Sequence, residues 1–223
     1  MTEVLQFALV LAAMGLVFYL RTRRAKEDVD AYKETVARLG FTLLPGRIRE
    51  LPLPLPHDLE FFWRNRVMYF SKVALGKFNG VDAVLFEAMG SSSQDTSDES
   101  SALAFWSARL HLPRFGVRSW GIPSHTQVKS EFLLNLTTRL QGIRDLDIPA
   151  FPEFSKRHIV SGENAAQVQR LFTPELVAFI ENHPRYTIEG KENCLLVTKN
   201  VALKLNGLET FAADGLEILS LVS

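Results

Sequence analysis

Two carboxylates and an imidazole in the C-terminal half are the first candidates for chemistry. Asp145 and Asp147 lie two residues apart in RDLDIP, and His158 follows in sequence. In an extended segment this spacing puts both carboxylates on one side, where they could bind a cation or share a proton. That is the set a hydrolase or metal-dependent enzyme using carboxylates would draw on. A solvated turn leading into Pro149 accounts for the same residues more simply. The five histidines, His57, His111, His125, His158 and His183, are scattered, and none pairs with another at the i,i+4 spacing of a helical zinc motif. GKFNG lacks the spacing and the strand-to-helix context of a phosphate loop, and no G-x-S-x-G elbow occurs. Cys194 stands alone, which excludes an intramolecular disulfide and a Cys-rich metal site. Within ENCLLVT it reads as a small, buried, unreactive hydrophobe. No catalytic, cofactor-binding or metal-ligating residue is therefore assigned, and no cofactor is expected.

The elements that would position any site begin with an apolar run. Val4 to Leu20 holds seventeen residues without a charge, followed by Arg21, Arg23, Arg24 and Lys26. At about 1.5 Å per residue it spans about 25 Å, within the usual range of membrane helices. A core helix would show one polar face, and a cleaved signal peptide would carry its positive charge before the run and a small-x-small site after it. Neither pattern is present. Val4, Leu5, Phe7, Leu9, Leu11, Leu16, Phe18 and Leu20 are read as the membrane anchor, and the four basic residues as its topology determinant. Positive charge is retained on the cytoplasmic side, so the following chain is expected in the cytoplasm. The division is residues 1–26, anchor and basic flank, and residues 27–223, a cytoplasmic domain.

Composition is that of an ordinary folded domain: 223 residues at 47% hydrophobic content can bury one sizeable core. The chain is formally neutral, but its first 26 residues contain four basic residues and one acidic one, leaving 21 basic against 24 acidic in the remainder. This mild acidity argues against a nucleic-acid surface, which needs clustered Lys and Arg.

Along the domain, Val29, Tyr32, Val36 and Leu39 form one stripe of a helix over Glu27–Leu39, with a Glu34/Arg38 pair and Gly40 as its stop. LPLPLP, Leu51 to Pro56, must run extended because alternate prolines forbid helix, and Phe61, Phe62 and Trp63 are expected to seat it on the core. Asn79-Gly80 separates two β-rich runs and predicts a hairpin. Ser91 to Ser101, without an apolar residue, predicts a loop. A strand is expected from Leu103, with Ala104, Trp106, Ala108 and Leu110 on one face, ended by Pro113; Phe115 to Trp120 adds a short edge. Helices are predicted over Gln127–Gln141, over Glu163–Phe172, from a Thr173-Pro174 start to Pro184, and over Leu208–Leu221. Arg157 to Val160 reads as a strand, and Tyr186–Glu189 with Cys194–Thr198 as a second hairpin. Without regular βαβ alternation, the fold class is α+β: an N-terminal transmembrane helix followed by a mostly antiparallel sheet with packed helices. A pleckstrin-homology-like roll is a further analogy, of fold only.

Five stretches carry a resemblance. They are the anchor with its RTRR flank, FNGVDAVLFEA, LHLPRFGV at Leu110–Val117, DLDIPAFPEFSKRHIVSG at Asp145–Gly162 and LFTPELVAFIE at Leu171–Glu181. In these the chain resembles a group of uncharacterised bacterial proteins with one N-terminal membrane helix and a cytoplasmic α+β domain. The resemblance implies a single-pass protein of the bacterial inner membrane and carries over no functional residue. The expectation is a non-enzymatic binding or scaffolding module, whose partners are the lipid bilayer and a protein or small ligand, with no nucleic acid. The alternative is a membrane-tethered hydrolase or metal-dependent enzyme built on Asp145 and Asp147.

Overall fold

The computed structural model describes residues 28–64, 67–78, 80–90, 99–119, 143–199, 201 and 205–223. The predicted anchor with Arg21, Arg23, Arg24 and Lys26 lies outside the described residues, as do the helix expected over Gln127–Gln141 and loop residues 91–98. Among the described residues no helix is long and apolar enough to cross a membrane.

The domain is α+β. Its strands are β1 (Phe41–Leu43), β2 (Val67–Phe78), β3 (Val81–Gly90), β4 (Glu99–Trp106), β5 (Leu112–Ser119), β6 (Arg144–Leu146), β7 (His158–Gly162), β8 (Tyr186–Glu192) and β9 (Cys194–Lys199). They form one sheet in the order β1-β2-β3-β4-β9-β8-β5-β7-β6, antiparallel throughout. Pairing of β4 with β9, from Ser101↔Lys199 to Trp106↔Cys194, joins an N-terminal group of strands to a C-terminal one. Among the described residues β1 and β6 stand at the two ends of the strand order.

Both expected hairpins are present. β2 and β3 are separated by two residues, and Gly80 takes the positive φ of 81° that such a turn favours. The helices are α1 (residues 28–38), α2 (Glu60–Arg64), α3 (Pro152–Arg157), α4 (Ala165–Leu171), α5 (Pro174–Asn182) and α6 (Leu205–Val222). Thr173 caps α5 by accepting from the Leu176 N–H, with Pro174 in the first turn, and Gly40 ends α1 at φ 80°. Arg38 pairs with Glu209 of α6 at 2.9 Å, tying the first helix to the last.

Apolar side chains lie on both faces. Leu85, Leu103, Phe105, Ile188, Leu195 and Val197 point to one side, where α1, α3, α4, α5 and α6 cover them through Tyr32, Val36, Phe154, Val168, Leu176 and Phe211. Val84, Phe86, Ala102, Ala104 and Leu196 point to the other side, covered by Leu55, Leu59 and Phe61 of a strap formed by residues 44–64. The leucine-proline run is thus the extended connector expected, and Phe61 and Phe62 seat it by edge-on contacts with Phe86 and Phe70.

Several expectations need correction. β4 begins at Glu99, inside the serine run, because Ser100 and Ser101 pair with Ala88 and Glu87 and are buried there. The pairing partner outweighs the poor strand preference of serine. β5 is an interior strand between β7 and β8, and Pro113 sits within it at a register irregularity where a ladder donor is not needed. The RDLDIP turn is in part the short edge strand β6. Val29 belongs to the predicted apolar stripe of α1 but is 57% exposed. α2 and α3 were not predicted, being about one helical turn each.

One close approach fixes the C-terminal half. Gly190 pairs with Phe115, and a Cβ built at Gly190 would stand 2.2 Å from that ring. Gly190→Ala is therefore expected to lower the unfolding free energy by about 1–3 kcal/mol through overpacking, as read from urea denaturation midpoints. A midpoint unchanged from wild type would mean that the ring is free to move aside.

Candidate functional site

α1 lays Tyr32 against the end of the sheet at which β2 begins and β3 ends. Its buried hydroxyl donates to the carbonyl of Lys72 at 3.2 Å, and the Lys72 ammonium stands 5.4 Å from its ring centre. Lys72 itself occupies a bulge in β2, between Ser71 and Ala74, with a left-handed φ of 49°. A non-glycine residue adopts that conformation at a cost of about 1–2 kcal/mol. The bulge re-aims the side chain, so that Nζ meets Oε1 of the buried Glu87 at 2.9 Å. Burial, with the Glu87 charge adding to it, pushes the Tyr32 hydroxyl far above the ordinary tyrosine value.

Next to this group lies a cleft of about 490 Å³, lined by Asp28, Val29, Tyr32, Leu43, Lys72, Leu205 and Asn206. Three distant stretches build it: the first turns of α1, the β1/bulge region and the start of α6. From Glu87, the partner of Lys72, a polar row runs across the sheet in register to Ser101, Lys199 and Tyr186. Ser101 donates to the Val201 carbonyl at 2.8 Å, and Tyr186 to the Asp214 carboxylate of α6 at 2.6 Å. Lys72, Glu87, Tyr32, Ser101, Tyr186 and Asp214 meet one another or the backbone, and Asp28 and Asn206 are the further polar groups of the lining.

On the opposite face the strap is fastened by charges. Glu189, buried in β8, accepts the backbone N–H groups of Glu60 and Phe61 at 2.5 and 3.0 Å, capping α2 from across the sheet. Asp58 is gripped by Lys191 at 2.7 Å and Arg114 at 2.9 Å. Partial burial alone would raise the Asp58 carboxyl, but these two cations outweigh it and hold it below its ordinary value. Neither grip could be read from the sequence, since each joins segments more than fifty residues apart.

The sequence candidates are not brought together. Asp145 and Asp147 are exposed at the β6 edge, where Asp145 pairs with Ser161 and Leu146 with Val160. His158 alternates with Ser161 onto the opposite face, buried and stacked on Phe154 at 4.2 Å, with Nδ1 3.2 Å from the Phe154 carbonyl oxygen. His57 and His111 are exposed, and His183 stacks between Phe179 and Tyr186. Among the described residues no group of three His, Cys, Asp or Glu side chains could hold a metal ion.

With this geometry established, comparison with known proteins adds the fold. No protein-family model matches the chain, and no curated protein sequence does. Among solved structures, the crystal structure of the mycobacterial trehalose monomycolate transport factor A is similar. It superposes with a TM-score of 0.58 at 13% identity, covering 87% of this chain and 95% of that one. At that identity the likeness shows a shared fold across nearly the whole of both chains.

Two predictions come from the buried groups. Burial holds the His158 ring below its ordinary pKa, against the opposing pull of the Phe154 carbonyl and Glu181. The unfolded chain therefore takes up a proton near pH 6.5 that the folded ring resists, and stability falls as pH drops below that value. His158→Gln should shrink the difference in urea midpoint between pH 7.5 and pH 5; an undiminished difference would show that His158 does not carry it. The Cys194 thiol, in a dry strand close to Glu189, is pushed up to about 12, chiefly by burial. It should be inert to a thiol reagent at pH 8 in the native protein and react once urea unfolds the chain.

Proposed function

We propose that this chain is a single-pass protein of the bacterial inner membrane whose domain acts as a non-enzymatic binding module on the cytoplasmic side. The observation that carries the reading is the cleft beside α1. Asp28 and Val29 line it, and the apolar run with its basic flank ends at Lys26, just before them. A ligand site built onto the first turn after a membrane anchor is held at the bilayer surface by the covalent chain itself. The engaged state of the surrounding polar groups, Lys72 with Glu87 and Tyr32 with the Lys72 backbone, favours holding a ligand over transforming one. An accessory role in transport fits the same picture, given that the mycobacterial protein sharing this fold is named as a transport factor.

The topology is tested by extraction and by reporters. The full chain should remain in the membrane pellet through carbonate washing, and a chain lacking residues 1–26 should leave it. A reporter fused after Ser223 should be active in the cytoplasm alone. Periplasmic activity would overturn the orientation, and release of the full chain by carbonate would overturn the anchor.

A further inference from the structure

A second cleft, of about 560 Å³, lies in the C-terminal half of the domain. We propose that it binds a small zwitterion, a free amino acid or short peptide with one ammonium and one carboxylate. The inference does not depend on the membrane reading, since the residues of the site all lie between His111 and Asn193.

Three segments form it: the entry to β5, the helix α4 and the turn from β8 to β9. Trp106 pairs with Cys194, so the turn stands at the opposite end of β9 from Lys199 and the polar row that starts at Glu87. Gln167 and Arg170 are one turn apart on α4. That helix is fixed close to the sheet, because a Cβ at Gly162 would stand 2.7 Å from its buried Val168. Lys191 pairs with Cys194, which leaves Glu192 and Asn193 as a two-residue turn, and the Asn193 carbonyl accepts the Ser107 N–H at 3.0 Å. Both walls are thus held from behind. Glu192 has a left-handed φ of 51° at a turn position that glycine favours. A side chain kept there against backbone strain, and lining a cleft, points to binding.

The lining charges select the ligand. They are Arg170 on α4 and Glu192 on the turn, and among the described residues neither has an ion-pair partner. Opposite charges in one cleft are here held apart on separate walls. The charges next to them are already paired: Asp58 meets Lys191 at 2.7 Å and Arg114 at 2.9 Å, and Arg114 meets Glu163 at 3.0 Å. Two cations and two anions cancel there. Arg109, two residues before His111, is exposed and outside the lining. One positive and one negative group fit a ligand that brings both, its carboxylate in the guanidinium fork and its ammonium on the Glu192 carboxylate. A bare anion would meet Glu192, and a bare cation Arg170. The His111 ring and the amides of Gln167 and Asn193 offer further hydrogen bonds, and Leu112 and Leu171 an apolar surface for a side chain. Both charges are exposed, so the affinity is modest, about 1 mM.

Ligand-observed NMR titrations test this with the full chain in detergent micelles. Leucine or leucyl-leucine should bind at about 1 mM, and the tighter of the two identifies the source of the zwitterion. N-acetylleucine, which lacks the ammonium, and leucinamide, which lacks the carboxylate, should each bind about tenfold more weakly than leucine. Arg170→Gln should weaken leucine about tenfold and leave leucinamide unmoved, and Glu192→Gln should do the same with N-acetylleucine as the unmoved ligand, as direct pairing requires. Glu192→Gly, which relieves the left-handed backbone, should keep the urea midpoint and lose binding, separating ligand contact from the folding of the turn. No saturable binding of either zwitterion up to about 20 mM would overturn the proposal. So would capped ligands that bind as tightly as leucine, or leucine binding unmoved by both glutamine variants. Each of these results leaves the membrane reading standing, since that rests on extraction and reporters.

Discussion

The central strands of this sheet are apolar on both faces, and the rest of the architecture answers to that constraint. β3 buries seven consecutive residues from Ala83 to Met89, and β9 buries Cys194 to Thr198 without a break. A strand of this kind is stable only if both sides are covered. Among the described residues five helices cover one side. On the other, the coverage comes from a strap too rich in proline to form a long helix, stiff enough to lie extended and apolar enough to seal Val84, Phe86 and Leu196. Fully burying side chains of this size contributes about 1.5–3 kcal/mol each, so leaving that face wet would remove a large part of a typical domain's net stability.

A strap without a ladder along its length needs fasteners, and they sit at its two ends. Near its start the Leu44 N–H donates to the Val73 carbonyl, and Ile48 exchanges a pair of backbone hydrogen bonds with Phe70. Near its far end Glu189 receives the first N–H groups of α2, while Arg114 and Lys191 hold Asp58. The Glu189 contact works through geometry as well as charge. A one-turn helix leaves most of its N–H groups without internal partners, and a carboxylate at its N-terminus satisfies two of them while meeting the positive end of the backbone dipole. The buried carboxylate and the short helix therefore depend on each other, and neither would be expected without the other.

This mutual dependence explains which features were legible in the sequence. The hairpins were, because Asn79-Gly80 and the β-rich runs on either side of it act locally; Thr173-Pro174 was, because a cap and a proline act within one turn. β5 reads in the sequence as a short edge from Phe115 because Pro113 marks the end of the strand before it, and only its neighbours β7 and β8 show that the proline falls within a strand where the register is irregular. The start of β4 at Glu99 is not legible locally because Ser100 and Ser101 are made strand residues by Ala88 and Glu87, their partners on β3. The cleft was invisible for the same reason on a larger scale. Its walls come from residues 28–32, 43, 72 and 205–206, and the residue that shapes it, Lys72, looks like an ordinary exposed lysine in SKVALGKF until its bulge is seen.

That bulge links the fold to the cleft. Had β2 continued in regular alternation, Lys72 and Val73 would have kept the pleat and exchanged faces. The extra residue instead carries Lys72 to Glu87 and leaves its carbonyl for the Tyr32 hydroxyl, so the energy of an ion pair and a buried hydrogen bond offsets a left-handed backbone. Val73 is left to face the strap side, where it is almost fully buried. One irregular residue thus serves the packing of one face and lines the cleft on the other. Strain of about 1–2 kcal/mol kept at the mouth of a cleft is the kind of local cost that folded proteins carry at sites of binding.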